Sequence, residues 1–101
     1  MRSTEKSTTG TSFHNTTLVA TINDLKKVLG PPVYKKNTGN GKTNFEWEGE
    51  TESGKIFTVY DWKENRPLSN TEDIRWHIGG FNYMDTMEAR EEILEAIIKI
   101  S

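Results

Sequence analysis

Ile74-Arg75-Trp76-His77-Ile78 alternates strictly between large apolar and polar side chains. A strand sends successive side chains to opposite faces, so this stretch demands a sheet with a core under one face. Ile74, Trp76 and Ile78 belong to that core, and Arg75 and His77 point the other way. In the preceding run Ile56-Phe57-Thr58-Val59-Tyr60-Asp61-Trp62, Phe57 and Val59 are the natural partners of the core set. Thr58, Tyr60 and Trp62 then share the second face with Arg75 and His77. Upstream, Phe45 and Trp47 alternate with Glu46 and Glu48, and Glu52-Ser53-Gly54-Lys55 reads as the turn of a β-hairpin.

Two helices frame these strands. Thr21 is placed to cap a helix over Ile22 to Leu29, with Asp24 in its first turn and Gly30-Pro31-Pro32 as its stop. Asp85 followed by Glu88 has the spacing of a capping box and predicts a second helix running to about Ile100. Ala89, Ile93, Ala96, Ile97 and Ile100 form its apolar stripe. The expected fold class is α+β: an antiparallel sheet of about three strands, a short N-terminal helix, and a C-terminal amphipathic helix packed on one face. Residues 1–15 are rich in Ser, Thr, Lys and Glu and read as a flexible polar tail, leaving 16–101 as a single domain.

Composition removes several function classes. Thirteen Lys and Arg against fifteen Asp and Glu give a net charge of −2, far from the basic balance of an avid nucleic-acid binder. The absence of cysteine excludes disulfides, thiolate zinc sites and Cys nucleophiles. No apolar run approaches the length of a membrane span, and the N-terminus lacks a signal peptide's apolar core, so a cytoplasmic protein without a membrane partner is expected. His14 and His77 lie far apart in sequence and no carboxylate cluster surrounds either. No metal, no cofactor and no catalytic triad is therefore implied.

The second sheet face carries the candidate chemistry. Tyr60, Trp62, Arg75 and His77 together can stack flat rings, donate hydrogen bonds and attract anions, as a nucleotide requires. Lys63 and Arg66 follow in the next loop and Lys42 lies in the upstream glycine-rich loop, all candidates for phosphate contact. A plainer reading stands beside this one. Tyr and Trp on a sheet face often pack as core or oligomer contact, His77 alone would be a hydrogen-bonded structural histidine, and Arg75 a surface ion pair. Asp61 falls with the core set by parity and is expected to cap a turn or pair with Arg66. Gly39-Asn40-Gly41-Lys42 has neither the spacing nor the setting of a phosphate-binding P-loop.

Phe57-Thr58-Val59-Tyr60-Asp61-Trp62-Lys63 and Trp76-His77-Ile78-Gly79-Gly80 resemble a family of small phage and large-DNA-virus proteins that pair a TVYDWK-like strand with a WHIGG-like strand. The likeness also takes in the Gly39 to Trp47 segment and leaves out the polar N-terminus. On these motifs the chain resembles the anti-CBASS sponges, viral immune-evasion proteins that sequester cyclic dinucleotide signals without cleaving them. The resemblance implies a homo-oligomer with its ligand pocket at or near a subunit interface, acting in the host cell cytoplasm. Tyr60, Trp62, Lys63, Trp76 and His77 match the motifs. Two other functions fit the same face: an inhibitor that docks on a host protein, and a metal-independent cyclic-nucleotide phosphodiesterase with His77 as general base.

Overall fold

Trp47 and Trp76 meet edge to face with ring centroids 5.4 Å apart. Each indole N–H donates to a main-chain carbonyl 2.9 Å away, that of Gly30 for Trp47 and of Ala20 for Trp76. A buried indole keeps its apolar gain only when its N–H finds an acceptor, and these two acceptors lie at opposite ends of one helix. The computed structural model describes residues 1–39 and 42–100. Its elements in chain order are β1 (Arg2–Ser3), β2 (Ser12–Ala20), α1 (Ile22–Leu29), β3 (Tyr34–Lys35), β4 (Phe45–Glu50), β5 (Ile56–Tyr60), β6 (Ile74–Gly80) and α2 (Tyr83–Ile100).

The strands form one antiparallel sheet in the order β1-β4-β5-β6-β2, with β3 pairing the same strand as β1. Phe45, Trp47, Phe57, Val59, Ile74, Trp76 and Ile78 are buried in a core shared with Leu18, Ala20, Ile22, Leu25, Leu68, Ala89 and Ile93. The α+β class and the face assignment of the central strands therefore follow the sequence pattern. The sheet has six strands rather than three. Two of the added strands have only two residues, too short for any periodicity. The third, β2, is polar over its first half, and its apolar alternation is confined to Leu18 and Ala20. Residues 1–15, expected as a flexible tail, here supply β1 and the beginning of β2.

Helix α1 is bounded as expected, with the Thr21 side chain accepting from the Asp24 N–H and Gly30 closing the C-terminus. Helix α2 starts earlier than the Asp85–Glu88 spacing predicts. Asn82 Oδ1 accepts the Asp85 N–H at 2.9 Å and so acts as the cap. Glu88 is thereby free to reach the hairpin turn, where it accepts from the hydroxyls of Thr51 and Ser53. These contacts hold its carboxyl below the ordinary range. Ala89 and Ile93 of the expected stripe are buried, whereas Ile100 in the last turn is exposed.

Asp61, at the end of β5, is fully buried and belongs to the core side as parity requires. Its partner is not Arg66. The carboxylate accepts the main-chain N–H of Asn44 at 2.8 Å and of Phe45 at 2.8 Å, together with Asn44 Nδ2 at 3.0 Å. Asn44 in turn accepts from the Gly39 N–H and donates to the Arg66 carbonyl. A Cβ on Gly39, whose φ is +77°, would lie 2.8 Å from the Arg66 Cα, so only glycine lets the two loops touch there. Asp61→Asn puts an amide donor where Asn44 already donates. Chemical denaturation should show it to be less stable by about 2–4 kcal/mol.

Candidate functional site

Strand register lays the second face out in rows. Glu46, Tyr60, His77 and Thr17 stand side by side across β4, β5, β6 and β2, and Glu48, Thr58, Gly79 and Phe13 form the adjacent row. The second row is low in the middle, because Gly79 has no side chain and Thr58 a short one. A Cβ on Gly79 would fall 2.5 Å from Thr58 Oγ1. The result is an open concavity of about 300 Å3 lined by Thr8, Thr11, Ser12, Thr43, Glu46, Thr58, Tyr60, Trp62 and Gly79.

One wall of it comes from the N-terminus. Between β1 at one sheet edge and β2 at the other, the chain must cross the sheet, and it does so over this face. Lys6 Nζ sits 3.0 Å from Glu50, Arg2 Nε 3.3 Å from the same carboxylate, and Thr8 Oγ1 donates to Glu48 at 3.2 Å. The Lys6 hydrogen bond is the main reason that the Glu50 carboxyl is held below the ordinary range. Met1 continues the tether, its ammonium lying 2.6 Å from Glu52 and 3.2 Å from Glu92. Nothing in a Ser- and Thr-rich run announces this role, since the carboxylates that fix it are 40 and 44 residues away.

The rings of the face form a cluster. Phe13 stacks on His77 with centroids 4.0 Å apart and planes 13° from parallel, and Trp62 lies beyond at 6.4 Å and 26°. Tyr60 meets both Trp62 and His77 edge-on, at 6.2 and 5.5 Å. Phe13 reaches His77 through a register shift in β2 between Phe13 and Thr17, where Asn15 takes a left-handed φ of 67°. Thr16 Oγ1, paired with Thr86 at 2.6 Å, and Arg90, donating to the Thr17 carbonyl at 2.9 Å, anchor that shift on α2. His77 is half-buried in consequence, and burial pushes its pKa down, with the charge of Glu64 opposing.

Trp62 is 40% exposed and Phe13 37%, whereas Tyr60 and His77 are half-buried. Lys42 Nζ and Lys63 Nζ lie 5.8 and 5.6 Å from the Trp62 centroid, within cation–π range. Two features hold these lysines in place: the Lys63 N–H donates to the Lys42 carbonyl at 2.7 Å, and Lys63 adopts a left-handed φ of 54°. Such a conformation in a non-glycine residue persists only where surrounding structure imposes it.

Tyr60, Trp62, Lys63, Lys42 and His77 are thus brought together, and His77 serves the ring stack rather than the concavity wall. Arg66 is turned elsewhere: its guanidinium lies 2.5 Å from Glu72 and 3.7 Å from Glu64, which raises its own pKa and lowers that of Glu72. Arg75 is exposed on the same face as His77 and lines no part of the concavity. Asn40 and Gly41 of the glycine-rich loop lie outside the described residues.

Sequence reasoning missed Glu46 and the hydroxyls of Thr8, Thr11, Ser12 and Thr43. For Glu46 the signal was present, since alternation with Phe45 and Trp47 already sends it to the second face. Among the described residues no three His, Cys, Asp or Glu side chains cluster as a metal site, and no helix is long and apolar enough to cross a membrane. No protein-family model, curated protein or solved structure matches the chain.

The depressed pKa of His77 fixes a pH dependence. Stability from its neutral form is present above the unfolded histidine value and is lost as pH falls through the lower, folded one. Carboxylates with lowered values act only in more acid solution. The raised values of Glu46 and of the Met1 ammonium act in the opposite sense, so the His77 contribution is read as a difference. From pH 7.5 to 5.5 the melting temperature of wild type should drop relative to that of His77→Gln, and the His77 ring should titrate below pH 6.5 by NMR.

Proposed function

We propose that this chain is a non-catalytic binding protein for a nucleotide. In the specific form that its TVYDWK and WHIGG segments imply by resemblance, it is a viral immune-evasion protein that sequesters cyclic dinucleotides as a homo-oligomer. The observation that carries the reading is the Trp62 indole, exposed at the rim of a hydroxyl-lined concavity with two ammonium groups beside it. An exposed flat ring stacks a base, and neighbouring lysines neutralise the phosphates joined to it.

Magnitudes bear on the mode of binding. Stacking gives about 1–3 kcal/mol per base, whereas nanomolar affinity needs about 12 kcal/mol, so charge-assisted contacts and preorganisation must carry most of it. The Lys63 conformation and the Asp61–Asn44 network hold that geometry before any ligand arrives. A space of about 300 Å3 is at the lower end of ligand pockets and suits one base with its sugar. A cyclic dinucleotide has two such halves, and a second copy related by two-fold symmetry would supply the second site. Turnover by His77 is disfavoured, because Phe13 covers one face of its ring and it lies outside the concavity wall.

Thermal-shift and calorimetric titration with a panel of cyclic di- and trinucleotides tests this. At least one should raise the melting temperature, and chromatography after heat release should recover it intact and in stoichiometric amount. Trp62→Ala should weaken that binding by about 5- to 150-fold while remaining folded. Unaltered melting with every nucleotide, or unchanged affinity in Trp62→Ala, would refute the reading, and degraded product in excess over protein would replace it with an enzyme.

A further inference from the structure

Glu46, Glu48 and Glu50 form a row of carboxylates along the open face of β4, and two of them are tethered. Glu48 accepts from Thr8, and Glu50 holds Arg2 and Lys6. The Glu46 carboxyl makes no hydrogen bond or ion pair with another described residue, although its main-chain carbonyl accepts the Val33 N–H at 2.8 Å. It is half-buried in the wall of the concavity, directly across the strand pair from Tyr60. Burial, then the charge of Glu48, raises its pKa. A carboxyl raised in this way favours the fold when protonated, and that contribution is lost as pH rises through the folded value. At neutral pH Glu46 therefore works against folding, in a position where Gln would fit. A group that opposes folding inside a concavity is a candidate for function.

Resting on the nucleotide reading of this site, we infer that Glu46 is its base-selecting residue and that the base it selects is guanine. A carboxylate is an acceptor with two parallel oxygens, and it pairs best with two adjacent N–H donors. Guanine offers such a pair, N1–H and the N2 amino group, on one edge. Adenine and cytosine set a ring acceptor beside their single amino donor, and uracil flanks its one N–H with carbonyls, so each would turn a lone pair toward the carboxylate. Tyr60 neighbours Glu46 across the strand pair and meets the Trp62 indole edge-on, and all three line the concavity. A base stacked on Trp62 with its donor edge across Tyr60 meets Glu46, and the phosphates meet Lys42 and Lys63. Cations and carboxylate then each face the part of the ligand with complementary charge.

The test compares cyclic di-GMP, cyclic GMP–AMP and cyclic di-AMP on wild type and Glu46→Gln by calorimetry. Wild type should bind the two guanine-containing ligands at least tenfold more tightly than cyclic di-AMP. In Glu46→Gln, where one acceptor becomes a donor, that preference should shrink to within about threefold. The variant should melt no lower than wild type at pH 7, which separates lost selectivity from lost fold. If the ligands bind wild type without guanine preference, or if the preference survives in the variant, the inference fails and the nucleotide reading stands. If none of the three binds wild type, and no other cyclic nucleotide does, both fail.

Discussion

The buried carboxylate of Asp61 is the constraint on which the site depends. Its three N–H donors come from Asn44 and Phe45, so a single side chain at the end of β5 fixes where β4 begins. An anion is tolerated in the interior because its oxygens are satisfied by dipoles that cannot move away. What lies just outside this clamp follows from it. Lys42 and Thr43 precede Asn44, Trp62 and Lys63 follow Asp61, and the Lys63 N–H closes on the Lys42 carbonyl. The exposed indole and its two ammonium groups are held by a network rooted in the core, although each is a surface residue in a loop. Asn37 extends the same network by pairing both main-chain groups of Leu68, at 2.6 and 2.8 Å.

The two faces of the sheet are closed by different means. Under the first, helices bury large apolar side chains around Trp47 and Trp76. Over the second, a polar strap from the N-terminus is pinned by ion pairs and hydroxyls to the glutamates of β4. A strap held in this way covers the sheet without filling it, which leaves the hollow above Thr58 and Gly79 open. Ring stacking of Phe13, His77 and Trp62 covers the neighbouring part of that face, and Val19 and Arg75 beyond it stay exposed. His77 thereby becomes a packed, half-buried ring, and Trp62 and Phe13 keep accessible surfaces.

The central strands were legible because alternation with large side chains leaves little choice of face. Ile74, Trp76, Ile78, Phe57 and Val59 could go only one way. Helix α1 was equally legible, its cap and stop being local. The strap was not, since its stabilising contacts are ion pairs between residues far apart in sequence and its own composition is that of a solvated tail. The start of α2 was misplaced because Asn82 and Asp85 both precede suitable helical sequence, and tertiary demand for Glu88 at the hairpin turn decided between them. On the site, parity placed Tyr60, Trp62 and His77 together, whereas loop positions could not be ranked. Lys42 and Lys63 reach the indole, but Arg66 is taken up by Glu72.

The most direct measurement is a titration of isotopically labelled protein with cyclic di-GMP, followed by amide and indole N–H chemical shifts. Binding in the concavity should move the Trp62 indole signal, the Gly79 amide and the amides of Thr8 to Ser12 together, with one saturation curve. Shifts that are absent, or that centre on the exposed side chains of Phe81, Tyr83 and Met84 at the start of α2, would contradict a guanine-nucleotide site on this face.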